Sequence, residues 1–276
     1  MAAESIALQY MSDLHLELFP GFRIAAADVR AERLVLAGDI GDPESAEYAE
    51  FIGDCVAKFP LGVFVVVGNH EAYGKASWER AVAATRLALE ARGAVLLYRS
   101  GADLVPGKLR IIGATLWSRV AGCDASDVRT FIADYRMIGG MRGVSDSNAL
   151  HDADAAWLRA ELDLMDADGV RAVVVTHHAP SLRGTSHPKH AGSALNGAFA
   201  TDLDALTGRP AVAAWIYGHT HFSAVRQLPP PGGAPLASNQ RGYADNPDEV
   251  GTFDPARTLL IRVSREQSRT TTGAVV

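Results

Sequence analysis

The sequence predicts an α/β protein in which helices cover sheet strands. Two observations predict it. Short apolar runs rich in β-branched residues recur along the 276 residues, several of them flanked by polar turn residues as buried strands are. Helical patterns lie between some of these runs, and alternation of strand and helix is how a chain builds a sheet with covered faces.

The strand-like runs are SIALQYM (5–11), RLVLAG (33–38), LGVFVVVG (61–68), LRIIGAT (109–115), VRAVVVT (170–176), AVAAWIYG (211–218) and RTLLIRV (257–263). A helix is expected over residues 44–58. A clearer one covers 77–92, with Ser77 as its N-cap and Gly93 as the glycine just past its end. A third covers 152–168, opened by Asp152 or Asp154. The stretch 179–199, rich in Ser, Gly, His and Pro, reads as a long loop, a class of segment that often carries function. LPPPGGAP (228–235) reads as a turn between two late strands. No internal repeat or linker divides the chain, so one domain over 1–276 is expected, with a polar tail from about residue 264 that frays.

Composition narrows the class. Hydrophobic residues make up 48% and charged residues 21%, enough to build a well-buried core. The formal net charge is −6 and no long basic run occurs, which argues against nucleic acid as the main partner. Cys55 and Cys123 match no CxxC pattern and read as free thiols in a reducing compartment. The N-terminus lacks a basic region followed by a long apolar stretch, and no apolar segment approaches the ~20 residues of a membrane helix. A soluble, cytoplasmic protein with no membrane partner is the expectation.

Five apolar runs end in chemistry-bearing residues. The first gives Asp13 and His15, the second Asp39 and Asp42. The third gives Asn69, His70 and Glu71 in GNHE. The later ones give His177 and His178, then His219 and His221. Each alone has a plain reading, since Gly, Asn and Asp are turn residues and a single His beside a strand is commonplace. HxH says more, because alternate side chains of an extended segment share a face. In open α/β sheets ligands bind beyond the carboxyl ends of strands. Gathering these Asp and His side chains at one edge is costly through desolvation and like-charge repulsion unless a multivalent cation is present. The number of groups suggests two metal ions. Mixed carboxylate, imidazole and amide oxygen suits Mn, Fe or Zn better than Ca or a thiolate-bound structural Zn.

The ordered motifs DLH, GDIGD, GNHE, a strand ending in TH, and GHTH, spanning residues 13–221, resemble the calcineurin-like metallophosphoesterase superfamily. ADYRMI, AAWL and SNQRGY resemble a bacterial, uncharacterised branch of it. The resemblance implies a four-layer fold of two mixed sheets flanked by helices. It places one ion on Asp13, His15, Asp39 and His221, and the other on Asp39, Asn69, His177 and His219, with Asp39 as the bridge. It implies a hydroxide between the ions attacking phosphorus in line. His70 would serve the leaving group and Asp42 would orient His70. Glu71 reads as structural.

The motifs specify phosphoester hydrolysis without naming the ester. A small or nucleotide-like phosphodiester is favoured, with a phosphomonoester as the alternative and a non-catalytic metal-binding scaffold as a more distant one. His178 and Arg241 are candidate substrate contacts. Arg241 is balanced against a plain surface role, and His187 and His190 are possible entrance residues. The segments 117–142, 179–199 and 238–243 are the candidate lining.

Overall fold

The computed structural model describes residues 4–190, 192–227, 233–243, 245–246 and 252–263. In chain order the elements are β1 (Ser5–Met11), β2 (Leu34–Leu36), α1 (Ala46–Lys58), β3 (Val63–Val65), α2 (Trp78–Glu90), β4 (Val95–Leu96), β5 (Ser100–Val105) and β6 (Leu109–Ala114). There follow α3 (Ala125–Phe131), α4 (Asp134–Met137), α5 (Val144–Asp168), β7 (Arg171–Thr176), α6 (Asp204–Thr207), β8 (Val212–Ile216), β9 (Val225–Gln227), β10 (Pro235–Ala237) and β11 (Thr258–Arg262).

The strands form two mixed sheets. One runs β11-β1-β2-β3-β4 and the other β5-β6-β7-β8-β10-β9. In the first, β1 to β4 are parallel and β11 is antiparallel to β1. In the second, β6, β7, β8 and β10 are parallel, with antiparallel strands at both edges.

The two sheets pack face to face. Leu8, Tyr10, Val35, Phe64 and Val66 of the first sheet and its strand ends meet Ile111, Val173, Val175, Ala214 and Ile216 of the second. On the outer side of the first sheet, Leu34, Leu36, Val63 and Val65 pack on Tyr48, Phe51 and Ile52 of α1 and Trp78, Ala81 and Leu89 of α2. On the outer side of the second, Ile112, Val174 and Trp215 pack on Leu158, Leu162 and Met165 of α5. Both faces of the central strands are therefore dry. That is why VFVVV and AVVV read as continuous apolar runs instead of alternating ones. Each such side chain contributes about 1.5–3 kcal/mol through burial, so register here is strongly specified. The result is the four-layer arrangement that the motif resemblance implied.

The helices follow local rules. Ser45 caps α1 by accepting from Tyr48 N at 3.1 Å, and Ser77 caps α2 by accepting from Arg80 N at 3.2 Å. In α1 the buried residues Tyr48, Phe51, Ile52 and Cys55 fall on one stripe. The third helix corrects the sequence reading. It opens at Val144, well before Asp152, and runs for 25 residues. Asp154 is an interior residue with its side chain 1% exposed, accepting from Arg99 Nε at 2.6 Å and Leu116 N at 2.9 Å. An aspartate that resembles an N-cap in sequence is here a buried cross-link to the β6 end.

The expected turn at 228–235 is flanked by the antiparallel pair β9 and β10, though residues 228–232 lie outside the described residues, as does the tail from 264. Cys55 is buried, Cys123 exposed, and both are free thiols. Among the described residues, no helix is long and apolar enough to cross a membrane.

Candidate metal centre

The carboxyl ends of β1, β2 and β3 from one sheet, and of β7 and β8 from the other, bring the polar motifs together. Backbone bonds lace these ends. Asp13 N donates to Gly38 O at 3.0 Å, His15 N to Asp39 O at 3.0 Å, and Gly218 N to His177 O at 2.9 Å. His219 N donates to Asp13 Oδ1 at 3.0 Å, tying the end of β8 to that of β1 across the two sheets.

The backbone here is strained. Of seven described non-glycine residues with positive φ, five are Asp13, His15, Asp39, His219 and His221. Left-handed conformations of this kind cost of order 1–3 kcal/mol each and persist only where surrounding structure enforces them, which is characteristic of functional sites. The glycines preceding the ligand candidates have a separate reason. A Cβ on Gly68 would overlap Asp39 Oδ1, and one on Gly38 would lie 2.5 Å from His177 Nδ1. Gly is needed because the side chains of the neighbouring strand ends occupy that space.

Among the described residues three groups of potential ligands result. Asp13, His15 and His221 form the first, Asp39, His177 and His219 the second, and His15, Glu17 and His70 a third that overlaps the first, with the ligand atoms in each group within 4.8 Å of one another. His15 Nε2 and His221 Nε2 face each other at 3.1 Å, and His221 Nε2 is 3.5 Å from Asp13 Oδ1. His177 Nδ1 donates to Ala37 O at 2.8 Å, which leaves Nε2 directed at Asn69 Oδ1 (2.9 Å) and Asp39 Oδ2 (3.3 Å). Four imidazoles, two carboxylates and an amide oxygen, all buried except the half-buried His221, are a donor set that fits divalent ions of the Mn, Fe and Zn type.

Electrostatics agree with this. Burial opposes charge on His177, but Asp39 outweighs it and raises the imidazole to about 9 in the metal-free chain. His219 is held well below its ordinary value by burial and then by the imidazoles of His178 and His177, so it stays neutral and able to ligate. Burial also disfavours charge on Asp39, yet His177 and His70 hold its carboxyl well down.

His70 lies beside the first group, its ring 4.3 Å from that of His15. Its backbone N donates to Asp39 Oδ1 at 2.8 Å. The carboxylate on its Nδ1 is Glu17, at 2.9 Å, and not Asp42. Asp42 instead meets Lys75 Nζ at 2.7 Å, with its side chain 44% exposed. The expectation for Asp42 is thereby corrected. The chain turning away after Gly41 points Asp42 outward, and the residue two after His15 takes its place. Burial alone would favour neutral Glu17, but hydrogen bonds from His15 and His70 bring its carboxyl down to about 2.

Glu71 is a structural clasp. Its carboxylate accepts Asp39 N (3.0 Å), Ile40 N (2.7 Å) and Gly68 N (2.7 Å), joining the ends of β2 and β3.

A calcineurin-like phosphoesterase family model matches residues 10–223. The chain belongs to that family. It is 27% identical over 273 residues to an uncharacterised protein, L509, of Acanthamoeba polyphaga mimivirus, covering 90% of this chain and 94% of that one. Its fold is similar to that of a phosphopantetheinyl hydrolase from Mycobacterium tuberculosis, with TM-score 0.70 and 16% identity over 92% of this chain and 95% of that one. It is also similar to a dimetal phosphatase from Danio rerio, with TM-score 0.52 and 14% identity over 94% and 99%. The protein is thus a metal-dependent phosphoester hydrolase of the calcineurin-like type.

Two expected substrate contacts of this phosphoesterase are placed otherwise. His178 is 1% exposed, packed against His219 with ring centroids 3.9 Å apart, and its Nδ1 meets Ser118 Oγ at 2.9 Å. It supports His219 from behind. Arg241 donates to Leu14 O at 3.0 Å and lies over the Phe22 ring at 5.0 Å, so its guanidinium braces the loop after β1. Sequence reasoning did not single out Glu17, Asp134 or Tyr243, although the last two lie within the segments 117–142 and 238–243 expected to line the site. Tyr243, at the end of SNQRGY, sets its ring 4.6 Å from His221 and 5.0 Å from His15. Glu17 had a local signal, two residues beyond His15, and the other two had only their place in ADYRMI and SNQRGY. His190 lines a cavity beside Phe199, whereas His187 packs on Phe222 with centroids 5.6 Å apart.

Proposed function

We propose that this phosphoesterase hydrolyses small organic phosphodiesters with two divalent ions of the Mn, Fe or Zn type. The observation that carries this reading is a cavity of about 180 Å³ beside His219, whose lining includes Phe199 and Thr220. Ile132, Leu195 and Phe199 supply its apolar walls and Asn196, His190 and Thr220 its polar ones, with no Lys, Arg, Asp or Glu among the lining residues. Phe199 joins it to the centre by stacking on His219 at 4.9 Å. A diester carries two organic groups, so one can leave beside His70 while the other rests in this cavity. A dianionic monoester would gain from an added Lys or Arg, and neither is among the described lining residues.

In this reading Asp13, His15, Asp39 and His221 would hold one ion, and Asp39, Asn69, His177 and His219 would hold the other. Bound ions of this kind acidify water and neutralise phosphoryl charge. The chain's own groups do the rest. Glu17 holds Nδ1 of His70, so Nε2 is the nitrogen left to give a proton to the departing oxygen. Tyr73 stacks on His70 at 4.1 Å and fixes the ring plane.

The test is turnover of metal-stripped protein reloaded with Mn, Fe or Zn. The substrates are an aryl phosphodiester, the matching monoester and a phosphopantetheinyl ester, the last chosen because a hydrolase of similar fold bears that name. A higher kcat/KM on diesters is expected. Preference for the monoester would replace this reading with phosphomonoesterase activity, and no turnover in any metal would favour a binding scaffold.

A further inference from the structure

Asn69 sits where a metal-ligating amide must present oxygen and not nitrogen. The two ends of a carboxamide are nearly identical in shape, so packing alone does not select between them. Something else has to choose, and the choice matters: an NH2 group turned toward a cation repels it.

Asn69 Nδ2 donates to Asp134 Oδ1 at 2.9 Å. Tyr73 Oη donates to the same oxygen at 2.7 Å. Asp134 is the first residue of α4, 65 positions from Asn69, in the segment ADYRMI, and is 4% exposed. An ionised carboxylate only accepts hydrogen bonds. It therefore draws the NH2 end of Asn69 to itself and turns Oδ1 toward His177 Nε2, 2.9 Å away. A buried carboxylate is costly unless paired, and Asn69 of GNHE and Tyr73, two residues beyond it, both donate to this one. Tyr73 in turn stacks on His70.

We propose that Asp134 is a positioning residue of the metal centre, setting the Asn69 amide oxygen-inward for one ion and holding Tyr73 against His70. This rests on the dinuclear reading above. It assigns a role to a segment outside the metal-binding motifs, and it makes α4 part of the centre although no α4 side chain is among the expected ligands.

The experiment measures metal stoichiometry and affinity, so it needs no substrate. Manganese and zinc are titrated into metal-stripped wild type, Asp134→Ala, Asp134→Asn, Asn69→Ala and the Asp134→Ala/Asn69→Ala pair, with thermal unfolding run alongside. Asp134→Ala should weaken one of two sites by about 10–100-fold, the usual scale for a partner that orients a ligand, and leave the other site unchanged. Asp134→Asn, which keeps an acceptor oxygen, should restore most of that loss. In the Asn69→Ala background, Asp134→Ala should cost no further affinity, because its effect passes through Asn69.

Wild-type affinity at both sites in Asp134→Ala would overturn the proposal, as would full additivity of the two changes. Equal losses at both sites, with no recovery in Asp134→Asn, would also overturn it, because that pattern belongs to general destabilisation. A wild type binding no ion would instead overturn the dinuclear reading, and this proposal with it.

Discussion

Glu17 Oε1 lies 2.9 Å from His70 Nδ1 and 3.3 Å from His15 Nδ1. One carboxylate thus touches both the imidazole proposed to serve the leaving group and an imidazole proposed to hold metal. Neither contact involves Asp42, the residue that motif order suggests.

The first prediction separates these two acids. Glu17→Ala should lower kcat by about 10–100-fold, as loss of an orienting carboxylate does. Asp42→Ala removes a partly exposed pair with Lys75, worth at most about 1 kcal/mol of stability, and a local bond from Glu44 N at 3.0 Å, neither of which touches His70. Steady-state kinetics on both variants check this. The reverse ranking would return the role to Asp42.

His70 contributes no side-chain atom to the two ligand groups proposed to hold ions, and its backbone N–H to Asp39 survives substitution. His70→Asn should therefore lower turnover by about 10²–10⁴-fold, the range of general acid–base catalysis, while metal analysis still finds two ions. Loss of an ion, or unchanged turnover, would count against the role.

Gly68→Ala tests the packing of the centre. The added methyl would overlap Asp39 Oδ1. Forcing the carboxylate aside should cost about 1–3 kcal/mol of stability and weaken metal binding as well. Gly74→Ala is the control for a glycine with open space around it, although its φ of +74° carries its own backbone cost. Thermal unfolding and metal titration of both variants should show the metal defect only for Gly68→Ala.

Metal uptake should release protons. His177 is raised to about 9 from an ordinary 6.5 in the metal-free chain, so it is largely protonated at pH 7.5 and must lose that proton to ligate. A histidine raised on folding stabilises the metal-free protein fully below about 6.5 and loses that contribution as pH rises through about 9. Metal affinity should accordingly weaken as pH falls below 9. Titration calorimetry at pH 7.5 in buffers of different ionisation enthalpy checks this, and an enthalpy independent of buffer would contradict it.

The α/β class, most core strands and the polar residues waiting at their ends were legible in the order of residues alone. Those features depend on short-range regularities. A strand dry on both faces shows as a run of Val and Ile, and a ligand at a strand end shows as Gly followed by Asp, Asn or His. Motif order then carried the four-layer architecture and the grouping of ligands. What the sequence left undecided was set by contacts between distant segments. Glu17 reaches His70 across 53 positions, and Asp134 reaches Asn69 across 65. His178 faces inward while its neighbour His177 faces the ligand group, and Arg241 is committed to Leu14 and Phe22. Which carboxylate meets which imidazole depends on where a loop turns, to within one side chain's reach. That turn is fixed by packing and hydrogen bonding with the rest of the molecule, which no local pattern of residues encodes.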